Sequence, residues 1–194
     1  MKLLLALSLI FNLQNNDMND NQNEIVLGGG CFWCVEAVFE GVKGVENITS
    51  GYSGGEIKNP SYKEVSRSLT NHAEVCKITY NKEIISLENI LEIFFLSHDP
   101  TTLNRQGNDI GKHYRSIVFH SNQEEEKIIL EYIKKINSSI FDNKIVTEVK
   151  KFEAFYLAEE YHQDYFKLNE DQPYCKFVIS PKVTKARKQL FKYY

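Results

Sequence analysis

The segment EIVLGGGCFWCVEAVFEGV (residues 24–42) joins a short apolar run to a helical pattern through three consecutive glycines. The run EIVL is typical of a β-strand that ends in the glycines. Val35, Val38 and Phe39 recur at the spacing of one helix face, and Gly41 is a helix breaker. The segment therefore predicts a strand and a helix with Cys31 at the turn between them.

Four further elements are predicted up to His120, in the order strand, strand, helix, strand. Together with the first strand and helix, this order is that of a split βαβ arrangement. We therefore predict an α/β fold, a two-layer sandwich with a ferredoxin-like core. The four elements cover residues 45–55, 72–80, 86–99 and 114–120, and later helices are predicted over 121–137, 157–168 and 181–191, with a strand over 144–150.

The composition is that of one soluble domain. The chain has 194 residues, of which 42% are hydrophobic and 25% charged, and this length is enough for one substantial core. The net charge of −3 gives no broad basic surface, so we expect no nucleic acid partner. Four cysteines are too few for a disulfide scaffold of this size but enough for thiol chemistry. We also expect a monomer.

The first 22 residues are set apart from the domain, which we predict to cover residues 23–194. The run MKLLLALSLIFNL (residues 1–13) is too short to span a bilayer as a helix and is similar to the apolar part of a secretory signal. The polar segment that follows is typical of a disordered linker. Since no A-x-A cleavage site follows, an exported protein and a cytoplasmic protein with a frayed apolar N-terminus both stay open.

Cys31 and Cys34 form a C-x-x-C pair with three interpretations: a redox pair, half of a metal site, or a nucleophile with an incidental neighbour. Free backbone N–H groups at a helix N-terminus stabilise an anion. We therefore predict a lowered pKa for Cys31 and a nucleophilic thiolate. Phe32 and Trp33 are costly to place at a turn, and beside a thiolate they would form an apolar wall.

The strand HAEVCKITY places Glu74 on the same face as Cys76, Ile78 and Tyr80. A carboxyl group on a buried face has a raised pKa and can donate a proton at neutral pH. The commoner alternative is a glutamate exposed to water at the end of a strand. Cys76 is predicted to be a small core residue.

Two polar loops carry further groups of chemical interest. Asp109 and Tyr114 lie in NRQGNDIGKHYRS (residues 104–116), and Tyr62 lies in NPSYKEV (residues 59–65). They supply hydroxyl and carboxylate groups without any metal-ligand spacing. Taken singly, each tyrosine is more often a packing residue with a hydrated tip.

Six motifs in order resemble the peptide methionine sulfoxide reductase A family: GGGCFWC, GYSGG, NPSYKEVS, HAEV, DPTTLNRQGNDIGKHYRS and AEEYHQDYFKLN. The resemblance extends from about Ile25 to Cys175. It implies an α/β sandwich without metal or organic cofactor. It also implies reduction of the S epimer of methionine sulfoxide, free or in proteins, with thioredoxin or another dithiol as the reductant.

The resemblance also implies roles for residues of this chain. Cys31 resembles the family's nucleophile, which is oxidised to a sulfenic acid, and Glu74 resembles the proton donor to the sulfoxide oxygen. Phe32 and Trp33 resemble the aromatic pocket for the substrate methyl group. The hydroxyls that bind the oxygen, and their polar neighbour, correspond to Tyr62, Tyr114 and Asp109.

Two positions depart from the family pattern. Cys34 stands where many members have glycine, and His113 stands where glutamine is common. Neither change removes a group that the chemistry needs.

The resolving thiol, which condenses with the sulfenic acid, has two candidates. Family members with one downstream cysteine in a matching "YC" position use it, which favours Cys175, placed in a loop between two predicted helices. Cys34 is the rival because residues three apart on a helix are neighbours. Two other functions stay open: a thioredoxin-like disulfide oxidoreductase using Cys31 and Cys34, and a zinc module using all four cysteines.

Overall fold

The computed structural model describes residues 21–194. The predicted leader, residues 1–22, lies almost entirely outside the described residues. The strands within residues 21–194 are β1 (Gln22–Gly29), β2 (Val45–Ser53), β3 (Ala73–Asn81), β4 (Arg105–Gln106), β5 (Asp109–Ile110), β6 (Ser116–His120), β7 (Glu148–Lys151) and β8 (Phe155–Leu157). The α-helices of the same range are α1 (Phe32–Phe39), α2 (Tyr62–Ser66), α3 (Leu87–Ser97), α4 (Gln123–Ser139), α5 (Tyr165–Leu168) and α6 (Ser180–Gln189).

The main sheet has the strand order β7-β6-β1-β3-β2-β8. Strand β1 is antiparallel to both β3 and β6, and β2 is antiparallel to β3 and β8. Only the edge pair β6–β7 of this sheet is parallel. The four strands β6-β1-β3-β2 have the order of the predicted split βαβ arrangement, so the α/β prediction is confirmed. The ferredoxin-like description applies to these four strands, which β7 and β8 extend on either side.

The two faces of the sheet bury different cores. Along β1, Ile25 and Leu27 belong to the large core, which also contains the apolar residues of α1 and α3. Val26, between them, belongs to a smaller cluster on the other face, against which Phe152 and Phe155 pack. This alternation follows from the two-residue period of a strand. Helix α1, with the cysteine pair, therefore lies on the face of the sheet that the large core covers.

The prediction of a helix over residues 157–168 is wrong. The segment instead contains the end of β8, a single helical turn (Glu160–His162) and the short α5, separated by Asp164 at φ +50°. The side-chain amide of Gln163 accepts the Ser50 N–H and donates to the Ser50 carbonyl, each at 3.0 Å. The N–H of Ala158 also donates to that carbonyl. These bonds to strand β2 replace the bonds that a continuous helix would make.

Cys175 does not lie in a loop. It begins a π-helical turn (Cys175–Ile179) that continues directly into α6, and its side chain is buried. The predicted loop position of this thiol is therefore wrong, and Ile179 and Val183 anchor the helix in the core. None of the helices within residues 21–194 is long and apolar enough to cross a membrane.

Candidate active site

The glycine run brings Cys31 against strand β3. A Cβ atom on Gly28 would lie 2.8 Å from the carbonyl oxygen of Glu74, so only glycine permits this approach. Gly30 has φ +96°, and a Cβ there would lie 2.6 Å from the side chain of Gln106. Cys31 follows as the N-cap residue of α1. The glycines therefore allow the turn to lie close to both β3 and the 104–116 loop, and Cys31 is at the tip of this turn.

Glu74 is a buried acid with one unpartnered oxygen. Its side chain is 1% exposed, and its Oε2 accepts the N–H of Phe32 at 3.2 Å. Its Oε1 is buried and has no hydrogen-bond partner within residues 21–194. Burial raises the pKa of Glu74 to about 8, as the sequence predicts. Because Oε2 is an acceptor, the proton of the neutral acid belongs on Oε1.

The predicted lowering of the Cys31 pKa is wrong. Burial raises the pKa of Cys31 well above its ordinary value, and the hydrogen bond with Cys34 and the negative charge of Glu74 raise it further. The prediction relied on free N–H groups at the start of α1. The N–H of Phe32 there donates to Glu74, so it does not stabilise a thiolate. Cys31 therefore rests as a thiol.

Tyr62 and Tyr114 are half-buried beside Glu74 and Cys31. Burial, followed by the charge of Glu74, raises the pKa of Tyr62 to about 12. The same two causes raise the pKa of Tyr114. Both hydroxyls consequently stay protonated and can donate. His113, at the position that departs from the family pattern, packs its ring 4.0 Å from that of Tyr114.

Asp109 is linked to the site through Tyr174. Its Oδ2 accepts the Tyr174 hydroxyl proton at 3.0 Å. Tyr174 also acts on Cys31, whose pKa burial raises and Tyr174 lowers. The charge of Asp109 also raises the pKa of Tyr62 and of Tyr114. Asp109 therefore acts on these two hydroxyls through its charge and holds a third hydroxyl in place.

The aromatic residues of the C-x-x-C segment form a wall. Trp33 stacks on Tyr165 with ring centroids 3.6 Å apart and 7° between the planes. Phe32 is buried and lies 4.9 Å from the ring of His162, which is also 4.5 Å from that of Tyr62. An apolar face thus adjoins Cys31 and Glu74, as the sequence predicts.

Three residues of the site were not predicted from the sequence: His162, Tyr165 and Tyr174. Two of them, His162 and Tyr165, lie in the segment of residues 157–168 for which a helix was predicted. The third directly precedes Cys175 in the "YC" position. The concentration of aromatic rings in these two short stretches is the signal that could have identified them.

A family model described as peptide methionine sulfoxide reductase matches residues 23–193. The chain belongs to the peptide methionine sulfoxide reductase family. Relatives named peptide methionine sulfoxide reductase MsrA include one from Saccharolobus solfataricus, 55% identical over 162 residues, which are 84% of this chain and 91% of that protein. Another, from Trichodesmium erythraeum, is 55% identical over 165 residues, covering 84% and 93%.

Solved structures of the same family have the same fold. Mxr1 from Saccharomyces cerevisiae in reduced form is 34% identical, with a TM-score of 0.76 over 80% of this chain and 90% of that one. Methionine sulfoxide reductase A of Corynebacterium diphtheriae is 28% identical, with a TM-score of 0.74 over 78% and 76%. This chain is accordingly a methionine sulfoxide reductase, not a thioredoxin-like oxidoreductase or a zinc module. Residues 21–194 contain no group of three or more His, Cys, Asp or Glu suited to a metal ion.

Glu36 binds the backbone next to the ring that stacks on the aromatic wall of this reductase. It is 6% exposed, and its Oε1 accepts the N–H of Asp164 at 3.1 Å. Its Oε2 is buried and has no hydrogen-bond partner within residues 21–194. Asp164 is the N-cap residue of α5 and directly precedes Tyr165, the stacking partner of Trp33. Burial raises the pKa of Glu36 to about 7. The ionised form is the better acceptor for the N–H of Asp164.

Replacing Glu36 with glutamine is expected to raise the KM for the sulfoxide about two- to tenfold, because an aromatic pair contributes roughly 0.5–1.5 kcal/mol. The kcat should change less. In the unmodified enzyme, KM should rise as the pH falls below about 7 and Glu36 becomes protonated. This pH dependence should disappear in the variant. Glu40→Gln is the matched control, since Glu40 lies one turn later and faces Lys167 at 4.0 Å. An unchanged KM in Glu36→Gln would contradict this role.

Proposed function

We propose that this reductase acts on methionine-S-sulfoxide, free or in proteins, with Cys31 as the nucleophile and Glu74 as the proton donor. The observation that carries the proposal is the Oε1 atom of Glu74. It is buried, unpartnered within residues 21–194 and belongs to an acid with a pKa of about 8, so it can donate a proton at neutral pH. Cys31 lies beside it at the start of α1.

The substrate fits between the polar groups and the wall. Its oxygen would lie against Oε1 of Glu74 and the hydroxyls of Tyr62 and Tyr114, all three of which are donors at neutral pH. Such donors stabilise the negative charge that grows on the oxygen as the sulfur is attacked. The methyl group on the sulfur would pack against Phe32 and Trp33. A sulfoxide is chiral at sulfur, so fixing the oxygen and the methyl group selects one epimer.

The chemical step is balanced within the site. The sulfur of Cys31 attacks the sulfoxide sulfur, and the oxygen takes the proton of Glu74. The sulfur–oxygen bond of the substrate breaks and methionine leaves, while Cys31 gains the oxygen as a sulfenic acid. The proton that Cys31 loses returns to Glu74. The substrate sulfur is reduced by two electrons, and Cys31 is oxidised by the same amount.

A second thiol then condenses with the sulfenic acid, and thioredoxin or another dithiol reduces the disulfide by exchange. A solved complex of Mxr1 with Trx2, 26% identical to this chain with a TM-score of 0.55 over 75% of it and 85% of that chain, supports a thioredoxin partner. Cys175 and Cys34 are the two candidates for the second thiol. The enzyme would act as a monomer without a metal or an organic cofactor.

Turnover of each methionine sulfoxide epimer, first with dithiothreitol and then with thioredoxin, tests this function. The S epimer should be reduced with both reductants, and the R epimer should not. A protein-bound S sulfoxide should also be reduced. Turnover of the R epimer alone, or no methionine from either epimer while Cys31 is a free thiol, would reject the proposal.

A further inference from the structure

The carboxylate of Glu159 joins residues from three parts of the chain. Its Oε1 accepts the N–H of Tyr62 at 2.9 Å, and its Oε2 accepts the hydroxyl proton of Tyr52 at 2.9 Å. The Nε2 atom of His162 lies 4.0 Å from the same Oε2. This one side chain therefore connects the start of α2 with strand β2 and with the aromatic wall.

The N–H of Tyr62 requires an acceptor from outside its own helix. The first N–H groups of a helix have no acceptor within that helix, and Tyr62 is the first residue of α2. The capping box of Ser61 and Glu64 uses the N–H groups of those two residues and not that of Tyr62. Glu159 supplies the acceptor that the capping box does not.

Helix α2 has five residues, so its position depends on its attachments to the rest of the domain. Val65 is the residue of α2 that is buried in the core. A contact at one position holds a short helix in place but leaves it free to turn about that point. The bond to Glu159 fixes the other end of α2, and the Tyr62 ring there lies 4.5 Å from the ring of His162.

Glu159 is itself attached to strand β2. The N–H of Ala158, the residue before it, donates to the carbonyl of Ser50 at 3.0 Å. Tyr52, which donates to Oε2, has a completely buried side chain. The start of α2 is therefore held by a carboxylate whose own backbone and side chain are both bound to the main sheet.

The charge of Glu159 favours both of its hydrogen bonds. Burial opposes the charged form, but the hydrogen bonds from Tyr62 and Tyr52 lower the pKa of Glu159 below its ordinary value. The carboxylate is consequently ionised at neutral pH, and each of its oxygens accepts one donor. Hydrogen bonds to a charged acceptor are stronger than those between neutral groups.

We propose that Glu159 is a positioning residue, which fixes the start of α2 on strand β2 so that the Tyr62 hydroxyl faces the sulfoxide oxygen. The carboxylate binds the backbone of Tyr62 and not its hydroxyl, so it acts on the reaction through Tyr62. A donor held in place before the substrate binds stabilises the charge on the oxygen without reorganisation. The inference rests on the proposed function in that Tyr62 donates to this oxygen.

The first experiment measures the single-turnover rate of methionine formation from the S epimer, with Glu159→Met introduced into three backgrounds. In the wild type it should slow the reaction about tenfold, less than the roughly hundredfold that a displacement of about 1 Å can cost. The loss should be the same in Tyr114→Phe. In Tyr62→Phe, where the hydroxyl to be positioned is absent, the loss should be less than about twofold.

Two further variants separate this role from a general disturbance of the fold. Glu159→Gln should restore most of the rate, because its amide oxygen can still accept the N–H of Tyr62. Glu160→Met is the matched control, since Glu160 is the next residue and is exposed, and it should keep the wild-type rate. A loss of equal size in all three backgrounds, or no loss in the wild type, would overturn the proposal.

The second experiment measures hydrogen exchange at the Tyr62 amide by NMR in the absence of substrate. Glu159→Met should speed this exchange at least about tenfold, because a hydrogen bond to a charged group contributes roughly that factor or more. The amides of β3 should remain protected in the same sample. Unchanged exchange at Tyr62 would overturn the proposal. This measurement is independent of catalysis, so a wild-type enzyme that forms no methionine would reject the proposed function, and the exchange rate would still decide the contact.

Discussion

Replacing Cys31 with serine is expected to abolish reduction of methionine sulfoxide with every reductant, with a loss of at least about a thousandfold in rate. A serine hydroxyl is a much weaker nucleophile than a thiol and has no sulfenic acid state. The substitution keeps the shape of the N-cap residue, so α1 and its contacts should persist. Methionine production is measured in single-turnover mixtures with each epimer.

Cys76→Ser is the matched control for this result. Cys76 is completely buried and donates to the carbonyl of Phe32, and a serine hydroxyl can make the same bond. This variant should retain reduction, because no step of the proposed reaction uses Cys76. Methionine formation by Cys31→Ser at a rate comparable with that of the wild type would remove Cys31 from the mechanism.

Replacing Glu74 with glutamine is expected to slow the chemical step about 10²–10⁴-fold at neutral pH, the range that a general acid contributes. The amide oxygen of glutamine can still accept the N–H of Phe32, so the start of α1 is preserved while the proton is lost. The loss should be smaller in acid, where solvent supplies protons. The measurement is the single-turnover rate as a function of pH.

The rate of the wild-type enzyme should depend on pH in one direction. The pKa of Glu74 is raised to about 8, so the donor form is present below that pH and disappears above it. The wild-type rate should therefore fall as the pH rises through about 8, and Glu74→Gln should lack this descending limb. Glu24→Gln, on β1 and paired with Lys77 at 3.2 Å, should retain the wild-type profile. A Glu74→Gln rate equal to the wild-type rate at the profile maximum would exclude a proton-donating role.

Those parts of the fold that depend on local pattern were predictable. Strand β1, helix α1 and strand β3 follow from alternation, helical spacing and glycine breaks in the sequence itself. The conformation of the segment containing Gln163 was not predictable, because it depends on hydrogen bonds to Ser50 on a distant strand. Helix α2 could have been found, since Ser61 and Glu64 form the capping box that precedes many helices.

The features of the candidate site also separate into those that the sequence predicts and those that depend on the folded structure. Cys31 and Glu74 were recognisable from their positions after the glycines and on a strand face. The raised pKa of Cys31 was not predictable, because it depends on the burial of the thiol in the folded chain. Glu74 also occupies the N–H of Phe32 that was expected to favour the thiolate. The stacking of Tyr165 on Trp33 was also out of reach. The sequence shows that the stretch around Tyr165 is rich in aromatic rings, but not that it meets the C-x-x-C segment, since that contact is made only when α5 packs against α1.

Trp33 has a consequence for how the enzyme can be observed. It is the only tryptophan in the chain, and it is stacked on Tyr165 within the wall beside Cys31. Its fluorescence therefore arises from one place in the molecule, beside the proposed nucleophile, where in the proposed reaction the substrate binds and the thiol of Cys31 gains oxygen. Rapid-mixing emission traces can time these events in the natural protein without an attached dye.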